Sequence, residues 1–386
     1  MRPEDFDALS PVHAADDAPS PAKGPEEGIG LCLSGGGYRA MLFHLGALWR
    51  LNELGYLPKL ARISSVSGGS ITAGVLGLEW GRLDFDGSGV GRCFQAEVVE
   101  PIRTLANHTL DAKEILEGLL LPGSIADHVA DAYRDYLFGN ATLQDLPPRP
   151  RFVINATNVQ SGALWRFMRP YMRDYRVGEV KMPAVPLAVA VAASSAFPPF
   201  LSPLTLHLDP ANFSPRAGGE DLHREPFTRD VVLTDGGVYD NLGLETVWKR
   251  YRTVLVSDGG GKLEPEEAPK HDWPRHVYRV LNLIDNQVRA LRKQQVVGSF
   301  VAGTRTGAYW GIRTDIMHYD LHDALECPFD ATLALASVPT RLAKIEPALQ
   351  ERLINWGYAV CDAAMRRHVE QNAAKPGAFP YPDSGI

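Results

Sequence analysis

The sequence predicts a three-layer α/β/α fold with a mostly parallel central sheet and an inserted helical cap. Two observations carry this. Apolar runs of strand length alternate with segments of helical period, and glycine turns mark the changes between them. The connections are short, and strand–helix–strand units with short connections bring parallel strands together beneath covering helices.

The elements follow in order. Residues 1–26 carry Pro, Ala, Asp and Glu without periodicity and are expected to form a mobile tail. Residues 28–33 read as a short buried strand. Tyr38, Met41, Leu42, Leu45, Leu48 and Trp49 then recur at helical spacing, and Phe43, Leu51 and Leu54 widen the apolar face. Gly55 and Pro58 end that helix. A second strand over 61–66 and a second helix over 71–80 repeat the unit. Later strands are expected at 151–157, 163–168, 231–234 and 253–257, with a small-residue helix at 186–195. Residues 277–296 read as a long surface helix, with apolar positions at 277, 280, 281, 284, 288, 291 and 296. Arg289, Arg292 and Lys293 fall outside that stripe and are expected to be solvated.

Residues 85–148 interrupt the alternation and include the apolar run 115–121. This stretch is either an insertion with a small core of its own or a cap over the site that meets lipid. Residues 27–370 are expected to form one catalytic domain, and 371–386, rich in Pro, Gly and Asp, a C-terminal tail.

The composition excludes some classes. Of 386 residues, 45% are apolar and 22% charged, as in ordinary globular proteins. A net charge of −7 argues against a nucleic-acid partner, whose phosphates attract clustered Lys and Arg. Cys32, Cys93, Cys327 and Cys361 are scattered without metal-ligand spacing and are read as reduced, Cys32 within a core strand. No charged-then-apolar leader opens the sequence, and the longest apolar stretch, 184–200, is too short and broken to span a bilayer. The expected setting is the cytoplasm, with peripheral contact to a membrane face left open.

Three stretches carry chemistry. Gly35, Gly36 and Gly37 follow the first strand and can offer consecutive N–H groups to a developing oxyanion. Their spacing does not match a dinucleotide or phosphate-binding loop. Ser67, in Ser65-Val66-Ser67-Gly68-Gly69, stands where a strand turns into a helix, the context of a nucleophile elbow, although a helix N-cap uses serine in the same place. Asp235 ends an apolar run and precedes two glycines; it is either a turn aspartate or a carboxylate able to take the serine proton directly. Arg39, in the first helical turn, is placed with Gly68 in the substrate-binding set, binding a phosphate head group or orienting the loop; a plain salt-bridge role is the alternative. His44, His207, His271, His276, His318, His322 and His368 are read as structural or surface residues.

On these residues the chain resembles the patatin-like phospholipase family, which shares its dyad with cytosolic phospholipase A2. The resemblance covers roughly residues 27–260 and rests on Ser34-Gly35-Gly36-Gly37-Tyr38-Arg39, on Ser65 to Gly69, on Asp235-Gly236-Gly237 and on Ala193-Ser194-Ser195-Ala196-Phe197-Pro198. It implies a patatin-like fold and a lipid acyl hydrolase of phospholipase A type. That enzyme would cleave carboxylic esters of membrane lipids through Ser67 and Asp235 by way of an acyl-enzyme. It further implies no metal or other cofactor, a phospholipid or other acyl-lipid substrate, and a membrane surface as partner. Two positions depart from the family pattern: Ser34 stands where patatins often have aspartate, and Ser65 replaces glycine. The second departure motivates an alternative, a lipid-binding or regulatory protein without turnover; an acyltransferase is a third reading.

Overall fold

The computed structural model describes residues 25–110, 124–215 and 221–386. Its strands are β1 (Glu26–Leu33), β2 (Leu60–Ser65), β3 (Arg151–Asn158), β4 (Ala163–Phe167), β5 (Tyr171–Asp174) and β6 (Gly178–Lys181). They continue as β7 (Leu204–His207), β8 (Phe213–Ser214), β9 (Asp230–Asp235), β10 (Tyr251–Asp258) and β11 (Thr306–Gly311). Its α-helices are α1 (Gly37–Glu53), α2 (Gly68–Leu78), α3 (Glu100–Ala106), α4 (Ile125–Tyr133) and α5 (Leu187–Ser195). Then come α6 (Gly237–Asp240), α7 (Glu245–Trp248), α8 (Trp273–Val301), α9 (Phe329–Ala336) and α10 (Pro347–His368).

The sheet has a parallel half in the order β11-β10-β1-β2-β3 and an antiparallel half, β4-β5-β6-β8, continuing from β3. β1 lies between β2 and β10, with Leu33 opposite both Ser65 and Ser257. The carboxyl ends of these three strands therefore finish level, where open α/β sheets place their ligands.

β9 joins this sheet in a way that bears on the carboxyl-end crevice. β2 pairs with the first half of β3 (Ser65 opposite Ile154), and β9 pairs antiparallel with its second half (Asp235 opposite Ala156). The other edge of β3 is taken by β4. β2 and β9 thus run head-on along one edge, and their carboxyl ends meet about 7 Å apart, two residues of strand rise.

One large apolar cluster joins α1, α2, α5 and α10 to the sheet, and a smaller one around Cys32, Leu244, Val247, Val256 and Val296 fills the opposite face. Helices on both faces make the three layers predicted. The strands and helices expected at 28–54, 61–80, 151–168, 186–195 and 231–257 are present within a few residues of their expected ends.

Three expectations need correction. The described helices of 85–148 do not build a separate core: Phe94, Val98, Ile102, Leu105, Val129 and Tyr133 join the main cluster. The run 115–121 lies outside the described residues. The segment from residue 371 is tied down despite its composition. The Asn355 side chain donates to the Tyr381 and Gly385 carbonyls, both at 2.8 Å, and the Tyr381 ring packs on Trp49 and beneath Arg103. Finally, the basic residues of α8 point inward, Arg292 to Glu245 at 3.1 Å and Lys293 to Asp258 at 2.6 Å, with Arg289 buried. Buried acids at the end of β10 and the start of α7 draw them in, which helical periodicity does not register.

The crossing of α1 with α10 yields a stability prediction. A β-carbon at Gly357 would sit 1.9 Å from the Phe43 carbonyl oxygen, and one at Gly46 would sit 1.9 Å from that of Ile354. Helix propensity alone would make Gly357→Ala stabilising by about 1 kcal/mol. The backbone contact makes it destabilising by about 3 kcal/mol instead. Urea unfolding decides; a gain in stability would show that the helices can move apart freely.

Candidate active site

The turns after β1, β2 and β9 meet at one cavity of about 420 Å³, lined by Gly35, Gly36, Gly37, Ser67 and Asp235 among others. Ser67 stands at the N-cap of α2 with φ 52° and ψ −121°, a backbone conformation that side chains rarely adopt. Such strain persists only where surroundings enforce it. Here Ser194, from the end of α5, accepts the Ser67 N–H on its hydroxyl at 3.0 Å and donates to the Asn155 carbonyl at 2.6 Å.

The same network accommodates Ser65. Its hydroxyl accepts from Ser70 at 3.0 Å and donates toward the Val153 carbonyl at 3.3 Å, so the position usually held by glycine is filled without an orphaned polar group. Ser34 is likewise absorbed: its hydroxyl accepts the Gly259 N–H at 2.9 Å and donates to the Gly35 carbonyl.

Asp235 is 2% exposed. Burial pushes its carboxyl up to about 7, against the stabilising Gly237 N–H and the Ser67 hydroxyl; the charge of Asp285 adds to the rise. The Gly237 N–H donates to Oδ1 at 2.6 Å, and Thr157 donates to the Asp235 carbonyl at 2.8 Å, so side chain and backbone are both held. A carboxyl balanced near neutral pH beside a hydroxyl can take and return a proton.

The three glycines are not equivalent. The Gly35 N–H is already given to the Asn241 carbonyl at 3.0 Å. Gly36 and Gly37, with φ of 145° and 61°, have no acceptor for their N–H groups among the described residues and border the cavity. Gly68 does not line the cavity; a β-carbon there would lie 2.2 Å from the Gly37 carbonyl oxygen, so its place is to let the two turns touch.

Arg39 also lies away from the cavity wall. It is buried, and its guanidinium donates to the Gly259 carbonyl at 3.1 and 3.2 Å and to the Val338 carbonyl, clamping the loop after β10 to the start of α1. Of its three sequence readings, orienting the loop is the one this geometry fits.

No histidine lines the cavity among the described residues. His44 is buried beneath the glycine turn, between Ser257 Oγ at 2.8 Å and the Ser34 carbonyl at 2.9 Å. Burial lowers its pKa to about 4, so the ring is neutral and props the turn. Among the described residues no cluster of three or more His, Cys, Asp or Glu side chains is placed to hold a metal ion.

Sequence reasoning missed the far wall. Asn282, Asp285, Asn286 and Arg289 of α8 line the cavity, with Phe200, Leu201 and Asn241. The helix was legible, but nothing local says that its polar side faces a site. Ser195 and Phe197, from the stretch 193–198, also line the cavity.

A family model described as patatin-like phospholipase matches residues 31–248. Human GIVD cytosolic phospholipase A2 in complex with methyl gamma-linolenyl fluorophosphonate is similar, at 15% identity and TM-score 0.50, over 88% of this chain and 58% of that one. The same human protein alone aligns at 13% identity and TM-score 0.42, over 92% of this chain and 60% of that one. VipD from Legionella pneumophila aligns at 15% identity and TM-score 0.36, over 89% of this chain and 67% of that one. The chain spans 41%, 58% and 60% of the length of the human structures it matches. No curated protein matches it. The likeness at TM-score 0.50 bears on the fold alone, while the family model covers more than half the sequence, including the turns after β1, β2 and β9: the chain belongs to the patatin-like phospholipase family.

Proposed function

We propose that this chain is a lipid acyl hydrolase of phospholipase A type, with Ser67 as nucleophile and Asp235 as its proton acceptor. The observation that carries the reading is a strained serine beside a buried carboxyl whose pKa is raised to about 7, with no histidine on the cavity wall among the described residues. As Ser67 Oγ attacks an ester carbonyl, Asp235 takes its proton, and the Gly36 and Gly37 N–H groups face the oxyanion that forms. Each such donor is worth about 3 kcal/mol in the transition state. Asp235 then returns the proton to the departing alcohol oxygen. Water, deprotonated by the same carboxylate, cleaves the acyl-enzyme and restores Ser67.

The cavity supports an acyl substrate: Phe197, Phe200, Leu201, Leu263 and Leu342 supply apolar wall in the cavity that Ser67 and Asp235 share. Among the described residues no helix is long and apolar enough to cross a membrane. Peripheral action at a membrane face from the cytoplasm is part of the proposal. The hydrogen-bonded fit of the Ser65 hydroxyl beside the elbow supports the hydrolase reading over a protein without turnover.

Ser67→Ala and Asp235→Asn should each lower hydrolysis of a short-chain nitrophenyl ester by on the order of 10³-fold or more, with unfolding midpoints at or above wild type. Methyl gamma-linolenyl fluorophosphonate, the inhibitor bound to the human phospholipase, should label Ser67 in the wild type and nothing in Ser67→Ala. Undiminished turnover in either variant sinks the dyad.

The raised pKa adds two pH predictions. Asp235 accepts a proton only when ionised, so kcat/KM should rise with pH along a limb centred near 7. A profile flat from about pH 5 to 9 contradicts this. Folding raises this carboxyl from 3.8 to about 7, so its stabilising effect is complete below the unfolded value and is lost as pH climbs through the folded one. The charged form costs about 4 kcal/mol at pH 8. Asp235→Asn should therefore gain stability over wild type progressively from about pH 5 to pH 8, as read by urea unfolding.

A further inference from the structure

The helix α8 is amphipathic with its sides reversed. Trp273, Val277, Val280, Leu281, Ile284, Val288 and Leu291 fall within about one third of its circumference, a stripe roughly 27 Å long at 1.5 Å per residue. This stripe faces outward. Trp273 is 78% exposed, Ile284 53% and Leu291 62%. The polar side faces the protein instead: Asn282, Asp285, Asn286 and Arg289 line the catalytic cavity. Lys293 and Arg292 hold that orientation through Asp258 and Glu245, and Arg289 Nη2 donates to the Gly261 carbonyl at 2.6 Å. Rolling the stripe inward would break all three links and leave buried charges unpaired. An apolar surface of this extent, fixed toward solvent, marks a contact site.

We infer that the outer face of α8 docks on a zwitterionic lipid bilayer and carries the mouth of the cavity to the membrane. The inference rests on the acyl hydrolase reading, and three observations select this occupant. The stripe is continuous with the mouth: Tyr278 of α8 and Phe200 both line the cavity, and their rings meet 6.3 Å apart. Both are well exposed, so apolar and aromatic surface runs from the helix into the cavity. The basic residues of the helix are already paired, Arg275 with Asp272, Arg279 with Glu266, Arg292 with Glu245 and Lys293 with Asp258, and the chain carries a net charge of −7. Attraction to anionic head groups is therefore weak, and the contact is made by apolar burial at the interface. Trp273, at the outer end of the stripe, is a side chain suited to the head-group boundary.

The test uses the full chain with phosphatidylcholine vesicles and the double variant Ile284→Glu, Leu291→Glu, whose positions line no part of the cavity. Wild type should float with the vesicles, and the variant should partition at least about tenfold less. Turnover of a soluble short-chain nitrophenyl ester should stay within about twofold, while release of fatty acid from the vesicles falls with binding. As an independent reading, wild-type tryptophan emission should shift to the blue on adding vesicles, and Trp273→Phe should lose most of that shift. Wild type that fails to float, or a variant that floats equally, overturns the inference. So does a wild-type dimer that the variant converts to monomer with vesicle binding unchanged, which would assign the face to a second copy of the chain. Flotation lost in the variant with no ester cleaved by either protein supports the docking face and removes the hydrolase reading.

Discussion

The site depends on two turns touching backbone to backbone. The turn after β1 and the turn after β2 belong to neighbouring parallel strands about 5 Å apart, too close for side chains between them. Gly68 lies against the Gly37 carbonyl, and Gly69 is packed as tightly on those of Leu33 and Ser34. With any side chain at these points the α1 and α2 N-termini would part. The N–H groups of Gly36 and Gly37 would then no longer border the cavity that holds Ser67. The Gly36 and Gly37 N–H groups and Ser67, the proposed oxyanion donors and nucleophile, are thus one construction, held by main-chain contact rather than by a chosen pair of side chains.

The carboxyl reaches that construction by an unusual route. β9 runs against the parallel half of the sheet and shares an edge of β3 with β2, so the two strands end facing each other. Asp235 arrives beside Ser67 because of sheet register, although the two are 168 positions apart in the sequence. Burial dominates the titration of the carboxyl, outweighing the hydrogen bonds that would hold it low. The same dryness that costs stability once the group ionises suits it to the proposed role of base near neutral pH. Ser194, Ser65 and Ser70 carry the strain of the elbow through hydroxyl contacts, which is why a serine is acceptable where a glycine is usual.

Around this centre the molecule uses polar groups for positioning. Arg39 holds the loop after β10 against α1, and neutral His44 holds the Ser34 carbonyl. Asp258, paired with Lys293, anchors α8 over the cavity, and those pairings turn the apolar stripe of the helix toward solvent. The α8 wall of the cavity and the outward surface are therefore linked through a few buried charges at the end of β10 and the start of α7.

Local pattern was enough for the layers, for the two strand–turn–helix units and for placing Ser67, Asp235 and the glycines at the ends of their strands, since each lies in contiguous residues with a readable period or turn. The limits were equally physical. Arg39 read as a substrate ligand because its carbonyl partners, Gly259 and Val338, lie 220 and 299 positions away. Gly35 read as an oxyanion donor because only the fold brings the Asn241 carbonyl to its N–H. The segment after residue 370 read as a tail because the Asn355 amide that fixes it lies on α10. The sequence alone determined which elements form and which side chains could do chemistry, because period, turns and hydroxyl or carboxyl identity are local properties. Tertiary structure alone decided which N–H groups remain unused, how far burial moves the Asp235 pKa and which side of α8 meets solvent, because each depends on partners that only folding brings within reach.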